Sequence, residues 1–479
     1  MSIAVLNSGA GAGNRRAAVA VLFLAAFINL LDVTIVNLAL PAIRNDLGAS
    51  ETELEWILVI YVVAFASGLL PFGRFGDIFG RKQVFIWGVA GFVLSSSICG
   101  MATSSGILIA ARGLQGLSAA MMVPQVLAIV HVLFRTEERG RVIGLYGVVS
   151  ALGAVSGPVS GGAILAIDFA GLSWRPIFLL NIPLGLFSLI GAMRFVPSIV
   201  AEPTLKPDWA GAVLFFLAIV SLTFPLVEGR HLGWPWWCLV LLGGAVMLAV
   251  VFLKHQANRA SRAMTQLLPI CLLKDRDFVF GLSVVVAFFS GIAGVFFMLA
   301  IFLQSGFGFS PLVAGLIIAP HPVGAMIASY LSGRVGHRWL EYRITLGAAL
   351  LALGMTGLML VVDAAESNLS GWRFMMPLFV VGTGMGTAVP ALFQSVLSRV
   401  SGLDAGAGSG VLQAFQQIGI AIGIAVIGQI FFGSLEGQRS EAGFVTAART
   451  ALWFPVGIYL LLAIVCFWSA RQSPEKPAP

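Results

Sequence analysis

The chain has 479 residues, of which 58% are hydrophobic and only 10% charged, with a mean hydropathy of +0.97. A soluble protein carries about 25% charged residues, so 28 basic and 21 acidic side chains cannot coat the surfaces of two or three soluble domains. This arithmetic excludes an ordinary soluble enzyme, a disordered protein and a nucleic-acid binder; the +7 net charge is read instead as the Lys and Arg that orient helices in a bilayer.

A bilayer core about 30 Å thick needs about 20 apolar residues at 1.5 Å rise each. Fourteen stretches meet that requirement. In chain order they are 18–40, 56–74, 83–102, 107–130, 141–166, 177–197, a middle pair 209–228 and 236–253, then 278–303, 311–333, 344–362, 373–398, 405–432 and 450–469. The first follows Arg15 and Arg16 but outruns a signal-peptide core, so it is read as retained. With the N-terminus in the cytoplasm, only six Lys/Arg fall in outer loops: Arg44, Arg175, Arg230, Arg373, Arg439 and Arg449. Arg112 lies inside a span. The remaining 21 are cytoplasmic, among them Arg81, Lys82, Arg135, Arg139, Arg141, Arg259, Arg262, Arg334 and Arg338. Because one omitted helix would reverse the bias downstream, both termini are expected inside.

The loop after span 2, GRFGDIFGRK (73–82), has a degraded counterpart after span 10, SGRVGHRW (332–339), which keeps Gly333, Arg334 and Arg338 without an acidic residue. With the middle pair set aside, the two occupy the same place in each of two six-helix halves. The expected organisation is therefore a first bundle over 1–200, two additional linker helices over 201–256 and a second bundle over 257–479. The four cysteines, Cys99, Cys238, Cys271 and Cys466, stand singly, so neither a disulfide framework nor a zinc site is indicated, and no metal is expected.

Ionisable groups within the spans are few, and a charge at the bilayer centre costs at least about 2.5–3.5 kcal/mol. Asp32 lies just beyond the middle of span 1, with Asn29 on the same face at i−3. Burial in hydrocarbon favours the neutral form of a carboxyl, which suits proton uptake and release; a structural carboxylate joining helices is the alternative. Arg112, in the antiparallel span 4, falls within about one turn of the same depth and shares a face with Gln115. It stays protonated and can bias a nearby carboxyl, or serve only as a structural donor. His321, between Pro320 and Pro322, is either a satisfied core histidine or a group that switches charge between pH 5 and 8. Glu228 sits at the outer end of span 7. In span 5, Gly153, Gly157 and Gly161 form a four-residue stripe beside Pro158 and Gly162, a smooth face for close packing. Asp77 opposes the positive-inside trend and needs a basic or helix-N-terminal partner, which suggests a latch between halves, with Gly73 and Gly80 at tight turns beside Arg81 and Lys82. Gln413, Gln416 and Gln417, with Gln429 further on, should face a cavity or a partner helix. Phe288, Phe289, Phe296 and Phe297 in span 9 read as packed or lipid-facing more readily than substrate-lining. No motif of hydrolase, nucleotide or metal chemistry is present, and the chain is not expected to be an enzyme.

These segments resemble the major facilitator superfamily, and within it the fourteen-helix branch of drug:proton antiporters. LDVTIVNLALP (31–41) resembles that branch's span-1 motif. GRFGDIFGRK resembles the superfamily's loop 2–3 signature through Gly73, Asp77, Gly80, Arg81 and Lys82. RGLQGLSAAMMVP (112–124) resembles the span-4 proton-coupling motif, GAVSGPVSGG (153–162) the span-5 antiporter motif, and WRPIFLLNIPLG (174–185) this branch's start of span 6. SPLVAGLIIAP (310–320) and the Gln/Gly pattern of span 13 extend the likeness. The family often has Arg directly after the loop aspartate, where this chain has Ile78, so the resemblance implies one ion pair fewer and reliance on Asp77, Arg81 and Lys82.

The resemblance implies an all-α polytopic membrane protein of two six-helix bundles and two extra central helices, operating by alternating access. It implies proton-coupled export of small amphipathic or lipophilic compounds (multidrug efflux), with Asp32 and Arg112 as proton-coupling residues. Asn29, Gln115, His321, Gln413, Gln416 and Gln417 are the candidates for the substrate cavity. Competition between cargo and proton at Asp32 is the simplest coupling. No cofactor is expected, the proton gradient supplying the energy. The expected partners are a small-molecule substrate, protons and the lipid bilayer, with no nucleic acid and with any periplasmic or outer-membrane partner left open. The expected location is the cell (cytoplasmic or inner) membrane, multi-pass. A single deep carboxylate opposed by Arg112 suits neutral or monocationic lipophilic cargo, and weak acids, better than dications. A dedicated exporter of one metabolite or lipid is the alternative reading.

Overall fold

The computed structural model describes residues 12–134, 136–167, 171–198, 206–229, 231–262, 264–335, 339–364, 370–400, 405–435 and 440–472. Arg135, Arg230, Arg338 and Arg439, and the side chains of Arg139, Arg141 and Arg334, lie outside what it describes. Among the described residues there is no strand. Fourteen long helices follow in chain order among the described residues: α1 Ala12–Leu47, α2 Glu51–Phe79, α3 Arg81–Gly100, α4 Ser105–Leu133, α5 Thr136–Ile167, α6 Pro176–Phe195, α7 Trp209–Glu228 and α8 Trp236–Ser261. They continue with α9 Arg276–Gly306, α10 Pro311–Gly333, α11 Leu340–Asp363, α12 Trp372–Leu397, α13 Ala405–Leu435 and α14 Glu441–Gln472. Thirteen contain a described apolar run long enough to cross a membrane; α5 contributes the described run Ser156–Ile167 within its 32 residues.

Most helices outrun their apolar stretch at one end or both, because a helix continues until a cap stops it rather than where hydropathy falls; α7 coincides with its expected span. The Ser50 hydroxyl accepts from the Glu53 N–H at 3.2 Å while Glu53 accepts from the Ser50 N–H at 2.8 Å, so α2 begins at a capping box five residues before the apolar run expected at 56. Ser104 and Ser310 cap α4 and α10 with the hydroxyl alone, accepting from the Ile107 and Val313 N–H groups. Gly80, at φ +94°, makes the turn between α2 and α3. Gly73, expected at a tight turn, instead lies inside α2. α9 ends in a π-helical turn, Phe302–Gly306, whose widened ladder presents Gln304 sideways.

Within the first half α1 packs on α5 and α6, and α4 on α2 and α3. In the second, α12 packs on α10 and α11, α11 on α14, and α9 on α13. Glycines set these seams. A Cβ on Gly153 would meet the Phe27 carbonyl oxygen at 2.8 Å, and one on Gly161 the Ile35 side chain at 2.7 Å; Gly157 faces Thr34 closer still. The four-residue stripe therefore lets α5 lie against the α1 backbone. The opposite side of α5 meets the second half: a Cβ on Gly162 would sit 2.7 Å from Leu312 Cα, and Gly315 presses on the Pro158 carbonyl. Gln304 Nε2 donates to the Leu38 carbonyl at 3.0 Å, and Gly428 of α13 packs on the Glu55 carboxyl. All four contacts gather where α1 ends and α2 begins, so the halves are closed together at that end.

The inserted pair is lopsided. α7 rests on α2 and α13, whereas α8 touches mainly α7, and 17% of its apolar window is buried against 78% for α2. At the opposite end of the molecule Asp208 caps α7. It accepts from the Gly211 N–H at 3.0 Å and Gln256 Nε2 at 2.8 Å, and pairs with His255 at 2.8 Å and Arg259 at 3.3 Å. Burial pushes this carboxyl up, but His255, the Gly211 N–H, Gln256 and Arg259 together outweigh burial and hold it below its ordinary range.

Candidate functional site

The deep carboxylate expected from the sequence sits in a closed polar knot inside the first half. Asp32 on α1 and Arg112 on α4 are 0% and 1% exposed, and Arg112 Nη1 donates to Asp32 Oδ2 at 2.5 Å. α1 and α4 run in opposite directions, and the matched depths place the two charges opposite one another. Gln115 Nε2 donates to Asp32 Oδ1 at 2.9 Å and Asn181 Nδ2 to the same oxygen at 2.7 Å. The carboxylate therefore accepts three hydrogen bonds, as an ionised carboxylate in a buried site requires. Arg112 is held in turn: Nη1 also donates to Gln115 Oε1 at 2.6 Å, Nε to the Ile57 carbonyl at 3.2 Å, and the guanidinium lies 4.2 Å from the Tyr61 ring centroid. Ser96 accepts from Gln115 and Asn181 at 3.2 and 3.0 Å and donates to the Phe178 carbonyl at 2.9 Å.

Three helices thus bond at one carboxyl group, α1, α4 and α6, and α2 and α3 join one contact further out through Ile57, Tyr61 and Ser96. Asn181, Ser96 and Tyr61 were missed as site residues by the charge census, since none of them is charged; the only sequence signal was Asn181 inside the WRPIFLLNIPLG segment. Asn29 is 6% exposed and accepts from Tyr61 Oη at 2.6 Å, and Gln115 is fully buried. Both belong to this knot rather than to open space between the halves. Asp32 itself presents no surface to that space.

The remaining candidates lie elsewhere. Gln413, Gln416 and Gln417 are half-buried on α13, and none of them has a hydrogen-bond partner among the described residues. His321 is half-buried on α10, six residues and about 9 Å past Gly315, with its ring 4.5 Å from that of Phe296. Its Nε2 is buried without a partner among the described residues. Phe288, Phe289 and Phe297 are buried packing residues, Phe288 against Tyr459.

In the α2–α3 turn Asp77 pairs with Arg81 at 3.2 Å and with Arg74 at 3.7 Å. Lys82 does not join it: its Nζ donates to the Met193 carbonyl at 3.0 Å on α6. Arg74 thus supplies the second partner, from a position three residues before the aspartate rather than the Ile78 position. Arg81 Nη1 also donates to the Ala128 carbonyl at 2.8 Å, tying the turn to α4.

The sequence profile of the Major Facilitator Superfamily matches residues 22–424. The chain belongs to that superfamily. It is accordingly a multi-pass membrane transporter and not an enzyme. Among curated relatives, the chain is 38% identical to a protein named a probable actinorhodin transporter from Streptomyces coelicolor, over 91% of this chain and 76% of that one. It is 30% identical to puromycin resistance protein pur8 of Streptomyces alboniger (96% and 92% covered), and 31% to multidrug resistance protein Stp of Mycobacterium tuberculosis (84% and 73%). Among solved structures, a POT family transporter in complex with a thioalcohol-conjugated peptide superposes with a TM-score of 0.70 at 13% identity, covering 95% of this chain and 96% of that one. The human organic anion transporter MFSD10 gives 0.60 at 16% identity, covering 94% and 99%. At these identities the likeness shows the fold alone.

Proposed function

We propose that this transporter is a proton-coupled exporter of small amphipathic or lipophilic compounds, working by alternating access from a cytoplasmic membrane with both termini inside. The observation that carries the reading is the Asp32–Arg112 pair, a fully buried carboxylate whose only counter-charge among the described residues is a guanidinium. A buried pair of this kind is strongly destabilised when one charge is lost, so protonation of Asp32 would release Arg112 and loosen the contacts joining α1, α3, α4 and α6. Asn181 turns its Nδ2 to Asp32 while its Oδ1 is buried without a donor among the described residues; rotation of the amide would bring that oxygen round to accept from a protonated Asp32. The names of the relatives, one attached to multidrug resistance, one to puromycin resistance and one to actinorhodin transport, support export of such compounds.

In this geometry direct competition between cargo and proton at Asp32 has no support, because Asp32 is 0% exposed. Coupling is indirect: the proton resets helix packing in the first half while cargo contacts the half-buried face made by Gln413, Gln416, Gln417, His321 and Phe296. Amide side chains half-exposed at membrane depth are costly against lipid and favour a water-filled cavity. That face carries no fixed charge among these residues, which suits neutral, monocationic or weakly acidic cargo and disfavours dications. The energetics are adequate. One proton moving inward gains about 2.3 kcal/mol per 100 mV and about 1.4 kcal/mol per pH unit, against about 2.7 kcal/mol for a hundredfold gradient of neutral cargo.

A dedicated exporter of one compound is the second reading, favoured by the relative named for a single compound, actinorhodin. Flux in proteoliposomes with an imposed pH gradient, across a panel of compounds, tests both readings. Broad, gradient-dependent uphill transport supports the first, and transport of one compound alone the second. Transport indifferent to the gradient overturns the proton coupling.

A further inference from the structure

The inserted helix pair is fastened unequally to the two halves. Along α2 it is held at both ends. At one end Trp56 Nε1 donates to Glu228 Oε1 at 2.6 Å, and the Trp56 ring lies tilted against Phe224 at 5.7 Å, itself 6.1 Å from Trp237. At the other end Phe75 meets Trp209 edge-on at 5.1 Å, and Arg74 Nε donates to the Gln266 carbonyl at 3.1 Å. The segment bearing Gln266 is itself locked to the pair: Gln256 Oε1 accepts from the Leu267 N–H at 2.9 Å, and Arg259 Nε donates to the Thr265 carbonyl at 2.7 Å. The described polar attachment to α13 is different in kind. Gln429 Nε2 donates to the Leu226 and Val227 carbonyls at 2.7 and 3.2 Å, at the closed end only. Those carbonyls belong to the last turn of α7, where a helix leaves its acceptors unsatisfied. One side chain therefore makes this bridge without displacing any helical bond.

We infer that α7 and α8 move with the first half as one body, and that Gln429 is a positioning residue whose bond to the end of α7 is made when the α1–α2 end is closed and broken when it opens. The inference rests on the alternating-access reading above and adds to it which half carries the inserted pair. Two bonds of similar length then have opposite standing. Trp56–Glu228 persists in both states, and its loss leaves their ratio unchanged. Gln429–Leu226 exists in one state alone, and its loss favours the other. A passive linker, loosely held to both halves, would show no such asymmetry.

The test uses the full chain in membranes with its four cysteines replaced and Leu38→Cys as reporter. Leu38 is 1% exposed at the closed contact, where its carbonyl takes the Gln304 bond. Labelling by a membrane-impermeant maleimide from outside reads the opening of that end. Gln429→Met, which keeps length and removes the donor, is expected to raise the labelling rate about tenfold, equivalent to about 1.4 kcal/mol; Trp56→Phe is expected to change it less than twofold. Gln429→Leu, which also lacks the donor, repeats the measurement should the methionine variant fold poorly. Equal effects of the two removals, a larger effect from Trp56→Phe, or no rise on loss of the Gln429 donor would overturn the inference. The reading needs no proton gradient, so a failure of proton coupling would appear in the flux assay and leave the labelling result standing.

Discussion

Replacing Asp32 by asparagine preserves the size of the side chain and an oxygen to receive Gln115 and Asn181, but strips the Arg112 guanidinium of its counter-charge. Both residues are fully buried, and breaking a buried pair by removing one partner costs about 3–5 kcal/mol. Arg112 would retain the Ile57 carbonyl at 3.2 Å, Gln115 Oε1 at 2.6 Å and the face of Tyr61 at 4.2 Å, which places the expected cost near the lower limit, about 3 kcal/mol. The double variant Asp32→Asn/Arg112→Gln removes both charges and should recover most of that loss, since neutral replacements of a buried pair are well tolerated. Thermal melting in detergent, with flux in proteoliposomes on the same preparations, separates the two roles. The single variant should melt well below the parent and export nothing uphill. The double variant should melt near the parent and still export nothing uphill, while downhill exchange of cargo survives in it. An Asp32→Asn protein as stable as the parent and pumping uphill at the full rate would refute both the energetics and the assignment of the proton carrier.

Other expectations follow from the same geometry. Gly157→Val should sharply reduce folded yield, because its Cβ must displace Thr34 at the α1–α5 seam, whereas Gly244→Val on α8, with nothing within 4 Å, should express like the parent in a fluorescence-detected chromatogram. Gln413→Ala and Gln417→Ala should raise the KM for cargo about two- to tenfold each, the worth of one hydrogen bond, with the melting temperature and pH dependence of flux unchanged. Asp208→Asn should destabilise the protein at pH 7. The carboxyl is held below its ordinary 3.8 in the folded state, so its contribution is present above that pH and lost as pH falls through the folded value; melts of the variant and parent should converge below about pH 4. Asp77→Asn frees Arg74 and Arg81 and should weaken the α2–α3 turn, seen as faster proteolysis between Gly76 and Lys82.

What could be read from the sequence depended on whether a signal was carried along one helix or shared among several. Length and hydropathy located all fourteen helices, because each crosses the same thickness of hydrocarbon. The Asp32–Arg112 pairing was also legible, because two lone charges on antiparallel spans at one depth have few alternatives. The knot around them was not. Asn181, Ser96 and Tyr61 are uncharged and therefore cheap enough in a membrane helix to escape a charge census, and neighbourhood among α1, α3, α4 and α6 has no local period. The α2–α3 turn failed for a related reason: Arg74 is a helix neighbour of Asp77 at i−3 only because α2 runs on to Phe79, and with a span ending at 74 Asp77 fell in the loop beyond it.

The same limit decided how cargo and proton could meet. On the sequence a deep carboxylate is a natural binding group, and Asn29 and Gln115 share its neighbourhood; in three dimensions all three turn into the first half, and the half-buried amides and imidazole belong to the second. A ligand changes an equilibrium only through its differential contacts with the two states. In the proposed reading, cargo touching α10 and α13 and a proton held at Asp32 communicate through contacts between halves that exist in one state and not the other. Gly162 on Leu312, Gln304 on Leu38 and Glu55 on Gly428 join the halves at the closed end, and in the proposed reading they are contacts of that kind. Their side chains and backbones come from α1, α2 and α5 on one side and α9, α10 and α13 on the other, so loosening the Asp32 knot acts directly on α1, the helix that carries both Asp32 and Leu38.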